Sequence, residues 1–170
     1  MEKYDWRRFT RRIDIHAPFD RLKYAWTTQA GLEAWLLRFA QFSAASGKII
    51  PPEQTVMSGD HYTWFWHGWP DSDRESGIFM KTEDPEIIKF TFGGAFDSPI
   101  IVTVKFYVTP VVNILELTQE NMPDTEEGRV KYHLQCCEGW NFYLVNLKSF
   151  FEGGIDLRNK DEDMKNMINK

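Results

Sequence analysis

The stretch that most constrains this chain runs from Pro123 to Gly154, PDTEEGRVKYHLQCCEGWNFYLVNLKSFFEGG. Asp124 has the chemistry of an N-cap, and Glu127 three residues on completes a capping box. Glu126 and Glu127 add negative charge where the helix dipole favours it. No proline follows Pro123 in the stretch, and Gly153-Gly154 supplies a left-handed stop. Projected at about 100° per residue, Val130, His133, Leu134, Cys137, Trp140, Leu144, Leu147 and Phe151 share one face. Tyr132, Cys136, Tyr143 and Phe150 widen that face, while Lys131, Gln135, Glu138, Asn146 and Ser149 mark the opposite side. So broad an apolar arc needs a large partner surface, such as a curved sheet. The stretch predicts a long core helix.

The partner surface is legible upstream. Phe9, Ile13 and Ile15 alternate as a first strand, with Arg11 on the same parity. Pro18 opens a short helix carrying Phe19, Leu22 and Trp26, and Thr27-Thr28 separates it from a second, Gln29 to Leu37. Two short helices in succession argue against a doubly wound sheet, which wants one longer crossover. From Arg38 to Thr118 the pattern becomes strands and turns. Tyr62, Trp64 and Trp66 alternate with Thr63, Phe65 and His67; Ile88, Phe90 and Phe92 oppose Lys89 and Thr91. Ile100, Val102, Val104, Phe106 and Val108 oppose Thr103, Lys105 and Tyr107, and Leu115 and Leu117 oppose Glu116 and Thr118. One-face alternation with short connections predicts an antiparallel meander, wet on one side and covered by the long helix on the other. The fold class is α+β, a single domain over residues 1–158 with a polar tail, 159–170. Within the tail, Met164, Met167 and Ile168 are spaced to dock as one helical turn.

Charge and cysteine usage exclude several function classes. The net charge is −5 with no basic stripe, so binding to DNA, RNA or anionic vesicles at physiological salt is expected to be undetectable. A salt-sensitive micromolar complex with any of them would contradict this. The opening MEKYDWRRFTRR has no apolar signal region, and no run approaches the ~20 apolar residues of a membrane span. Cys136 and Cys137 are adjacent on a helix, where side chains diverge, so no disulfide is expected and the cytoplasm is the expected home.

Catalytic and metal chemistry find few candidates. The four histidines, His16, His61, His67 and His133, form no His-x-x-x-His pair, and there is no Cys-x-x-Cys or HExxH. His61 and His67 share a strand face but stand roughly 20 Å apart along it. No Gly-x-Ser-x-Gly elbow or phosphate loop is present. Cys137 with His133 one turn earlier is the one Cys–His pair at (i, i+4) spacing, and it reads as packing, since a reactive thiol needs exposure and a positive neighbourhood. No cofactor is implied, and no catalytic residue is assigned.

The order of strand, two short helices, meander and long helix carries a family resemblance. Ala17-Pro18 leading into Ala25-Trp26-Thr27-Thr28, then Gly31-Leu32 and Trp35, resembles the opening of the SRPBCC (START-like) superfamily. Gly139-Trp140, Leu144, Asn146-Leu147-Lys148 and Glu152-Gly153-Gly154 resemble the C-terminal helix of the activator of heat-shock protein 90 ATPase homologue-like group within it. The resemblance spans Phe9 to about Arg158 and departs at Tyr62–Trp69 and the Gly47–Asp60 loop. It implies the helix-grip fold, and a superfamily that includes lipid carriers, hormone receptors, cyclases and co-chaperones.

With 13 Phe and 7 Trp, the chain has aromatic mass for a large core, a cavity, or both. The first expectation is a non-catalytic binder of a small apolar or amphipathic ligand, held between the sheet and the long helix. Its walls would be Trp64, Trp66, Phe90, Phe92, Val102, Val104, Trp140 and Leu144, with Asn141 as a placed polar group and Lys148 a weaker candidate. The alternative is a protein-interaction module like the co-chaperone for which the group is named, and a filled core favours it. A cyclase-like enzyme ranks third, with His133 the nearest ionisable group.

Overall fold

Period-two alternation from Arg8 onward becomes seven antiparallel strands among residues 4–93, 98–164 and 167–169, which the computed structural model describes. In chain order these are β1 (Arg8–Ile15), β2 (Phe39–Ser43), β3 (His61–Phe65), β4 (Glu75–Ile78), β5 (Ile87–Phe92), β6 (Ile100–Tyr107) and β7 (Asn113–Glu120). Helices α1 (Phe19–Thr27) and α2 (Gln29–Trp35) lie between β1 and β2. The strands run β1-β7-β6-β5 in one sheet and β2-β3-β4 in another. A bridge between Phe79 and Phe90 and the bond from Met80 N–H to the Lys89 carbonyl join the two sheets at β4 and β5.

Each strand sends one parity inward. Val102, Val104, Phe106, Leu115 and Leu117 are fully buried, as are Phe90 and Trp64. The opposite parity makes a wet face where Arg12 pairs Glu116 at 3.2 Å and lies 5.2 Å from the Tyr107 ring centre. Edge strand β1 thus carries charge along its length, which discourages pairing with another chain.

The long helix forms as three continuous segments: α3 (Glu126–Gly128), a π-helical run (Arg129–Gln135) and α4 (Cys136–Gly153). Gly154 ends it at φ 67°, its N–H bonded to the Phe150 carbonyl, as the Gly-Gly pair predicts. The start differs from the capping-box expectation. Thr125 is the N-cap, its hydroxyl accepting from Gly128 N–H at 3.0 Å, while Asp124 pairs with Arg129. The facing differs too. A π-helix bonds i to i+5 and turns each residue through less than the ~100° of an α-helix. Val130 and Leu134, expected inside, are therefore 48% and 51% exposed, while His133 is buried.

Asn146, assigned by periodicity to the wet side, is fully buried. Its amide donates to the Trp35 carbonyl at 2.6 Å and its oxygen accepts from Leu157 N–H at 2.6 Å. The buried Arg158 guanidinium donates to the Glu33, Ala34 and Leu37 carbonyls and pairs with Asp156 at 2.7 Å. It satisfies the orphan carbonyls at the end of α2. The residues after α4 are thereby fastened to the helical layer. Met164, Met167 and Ile168 remain 49%, 44% and 85% exposed, and no described tail residue is helical.

Candidate functional site

The expected site lies where α4 crosses the inner face of the sheet, and its aromatic walls meet each other. Trp64, Phe90, Val102 and Val104 have no exposed surface, and Trp140 and Leu144 are buried. Trp66 and Phe92 are half-buried. The Trp64 and Phe90 rings stand 5.2 Å apart, Trp140 and Phe92 5.9 Å, and Trp140 and Trp26 stack at 6.0 Å. A space able to admit water would leave exposed surface on its walls. The side chains of Trp64, Phe90, Val102 and Val104 border no such space. Around these four side chains the core is closed to water.

Asn141 takes no part in this cluster. It is exposed and accepts a bond from Arg11 Nε at 2.8 Å. The physical reason is angular: one step beyond Trp140, it turns toward the β1 edge, where Arg11 brings its guanidinium inward. The polar group that meets this cluster is Gln119, fully buried on β7. Its carbonyl accepts from Trp140 Nε1 at 3.0 Å, and its amide donates to the Tyr132 carbonyl at 2.9 Å. Extending the Leu115–Leu117 parity by one step would have placed Gln119 inside. Trp26 Nε1 and Trp64 Nε1 are buried donors with no acceptor.

His133 sits against Tyr4, Trp6 and Phe9, with ring centres 5.1 to 5.4 Å away. A carbonyl can only accept, so Nδ1 carries the hydrogen donated to Trp6 O, and Nε2 is hydrogen-bonded to the Tyr4 hydroxyl at 2.8 Å. The imidazole ties down the N-terminal segment rather than partnering Cys137. The Cys137 sulfur instead receives Arg11 Nη2–H at 2.6 Å. Both cysteines are free thiols, and burial pushes the Cys136 thiol up to about 11.

Lys148 leaves the core at the β1 edge and bonds the Asp14 and Glu152 carboxylates at 2.8 and 2.9 Å. Asp14, His16 and Glu152 bring ligand-type atoms within 4.8 Å of one another, but the cation between the carboxylates is the chain's own ammonium. The His16 backbone N–H, then Lys148, holds the Glu152 carboxyl at about 2, below its ordinary 4.5. For Asp156, burial pulls upward, but bonds from Arg158 and Lys160 outweigh it and hold the carboxyl below the usual range. Both groups favour the folded state above their unfolded values, and that contribution is lost as pH falls through the folded ones. Melting temperature should therefore drop on acidification from about pH 4.5 to about 2, and Glu152→Gln should flatten part of that fall. A variant with an unchanged acid profile would contradict the assignment.

Two open clefts lie outside the core. One, about 420 Å³, is bounded by α1, α2 and the end of α4. The other, about 370 Å³, runs between the 55–58 loop, α1 and the turn before β5.

Comparison with solved structures confirms the fold. Protein SSP2350 of Staphylococcus saprophyticus is 17% identical, covers 89% of this chain and 96% of its own, and superposes with a TM-score of 0.65. The Aha1 dimer of Colwellia psychrerythraea gives 17%, 86% and 97%, and a TM-score of 0.66. PFC0360w, an HSP90 activator of Plasmodium falciparum, gives 19%, 85% and 95%, and 0.60. No curated protein matches the sequence. The family model described as Activator of Hsp90 ATPase homolog 1-like protein matches residues 16–152, through both short helices, the meander and nearly all of α4, and the chain belongs to that family.

Proposed function

We propose that the chain is a protein-interaction module that engages a chaperone of the Hsp90 class through its surface, without chemistry of its own. One observation supports this reading: Trp64, Phe90, Val102 and Val104 have no exposed surface, and with the buried Trp140 they belong to one core cluster. A chain whose core is closed there is left its outer surface for recognition. The family description and the likeness to the Plasmodium activator supply the class of partner. His133, with both ring nitrogens engaged, supports a non-catalytic role.

The test adds the purified chain to Hsp90 and follows ATP turnover and complex formation together. A saturable complex with altered turnover is the expected result; no complex up to high micromolar chain would overturn the reading. A second reading, ligand binding between helix and sheet, draws on the unpartnered indole N–H groups of Trp26 and Trp64. Buried donors without acceptors cost about 1–3 kcal/mol each, and a ligand oxygen would relieve them. It requires the aromatic cluster to open, which a fatty-acid titration monitored by tryptophan emission would report.

A further inference from the structure

The two sheets are joined less firmly than the strands within either of them. Inside each sheet the ladders are continuous, as from β5 through β6 to β7. Between the sheets, among the described residues, one isolated bridge links Phe79, just after β4, to Phe90 on β5. Beyond that bridge, toward the start of β4, side chains take over from the ladder. Ile78 N–H donates to Thr91 Oγ1 at 3.0 Å, and Gly93 N–H donates to the Glu75 carboxylate at 3.0 Å. The Tyr62 hydroxyl reaches across from β3 and donates to the Thr91 carbonyl at 2.6 Å. Gly77 makes room for this: a Cβ there would stand 2.6 Å from both the Thr91 carbonyl oxygen and Tyr62 Cε1.

β4 also has the weakest hold on the core. None of its residues is buried, whereas every other strand buries two or more. Behind the seam lie Tyr62 and Phe90, both buried, their rings edge to face at 5.9 Å, and then Phe92 against Trp140. A strand that buries nothing, and is pinned on one side by side-chain bonds, opens at lower free energy than the ladders beside it. We infer that the sheet opens at this seam: β4, still paired to β3, swings from the end of β5 about the Phe79–Phe90 bridge and uncovers the rings of Tyr62, Phe90 and Phe92. The core that is closed at rest has a gate at that edge. The inference goes beyond the chaperone reading and does not depend on it, since it concerns how the core opens rather than what the surface engages.

Hydrogen exchange of the full chain, followed amide by amide by NMR, tests this. The Ile78 and Gly93 amides should share one degree of protection, at least about tenfold below that of the β6–β7 ladder. Thr91→Val removes the Oγ1 acceptor and Tyr62→Phe the hydroxyl, each with little change of volume, so both variants keep the fold. Each should speed exchange at Gly93 about fivefold, the weight of one net hydrogen bond, although neither touches that amide's own acceptor, Glu75. That coupling is what a seam opening as a unit requires. Gly93 protected as strongly as the β6–β7 ladder would mean that the seam parts only when the whole chain unfolds. Gly93 exchange unmoved by both variants would mean that its bond frays alone. Either result would overturn the inference.

Discussion

Trp140→Ala is expected to cost about 3–5 kcal/mol of folding stability, the largest loss for one side chain on the long helix. The ring is 4% exposed and packs between Trp26 on α1 and Phe92 on β5. Removing it opens a void and strips Gln119 of the donor that satisfies its carbonyl. Trp140→Phe separates the two effects, since it keeps most of the volume and should lose roughly 1 kcal/mol from the bond alone. Urea unfolding of the two variants measures both terms. A loss below ~1 kcal/mol for the alanine variant would mean that α4 buries a different face.

Arg158→Ala is expected to rank next, at about 3–5 kcal/mol, because it leaves buried partners uncompensated. The side chain is 2% exposed. Without it the Glu33, Ala34 and Leu37 carbonyls at the end of α2 lose their donor, and Asp156 loses its nearest cation. Arg158→Lys should recover little, since an ammonium cannot span that set of acceptors as the guanidinium fork does. Thermal unfolding of Arg158→Ala, Arg158→Lys and Asp156→Asn decides the matter. Near-native melting of Arg158→Ala would show the contact to be incidental.

These two residues also mark where sequence reasoning succeeds and where it stops. Trp140 lies on an apolar stripe with regular period, so its burial is legible from spacing alone. The strand faces are legible for the same reason: Val102, Val104 and Phe106 alternate without interruption. Val130 and Leu134 obey the α-helical period too, yet they face out, because the π-helical turn around them unwinds the register locally. Nothing in their own identity signals that. Asn146 and Arg158 are polar, and pattern reading sends polar residues to the surface. Their burial depends on acceptors supplied by α2, more than a hundred residues away in the chain. Asn141 misled in the other direction: an amide on an apolar arc suggests a placed polar group in a pocket, but its partner is Arg11 at the sheet edge. Whether large inward-facing aromatics enclose a space or close it is set by how tightly the sheet curves. Sequence periodicity does not encode that curvature.

Val104→Trp tests most directly whether the space between α4 and the sheet is filled. Val104 is fully buried on β6, opposite Leu117 on β7 and Ile88 on β5. In a filled core the added indole has nowhere to go, so the variant should lose at least about 1–3 kcal/mol or fail to fold. Equilibrium urea unfolding of wild type and variant measures this. A Val104→Trp protein as stable as the wild type would mean that the site holds empty volume. The ligand-binding reading would then displace the chaperone-interaction one.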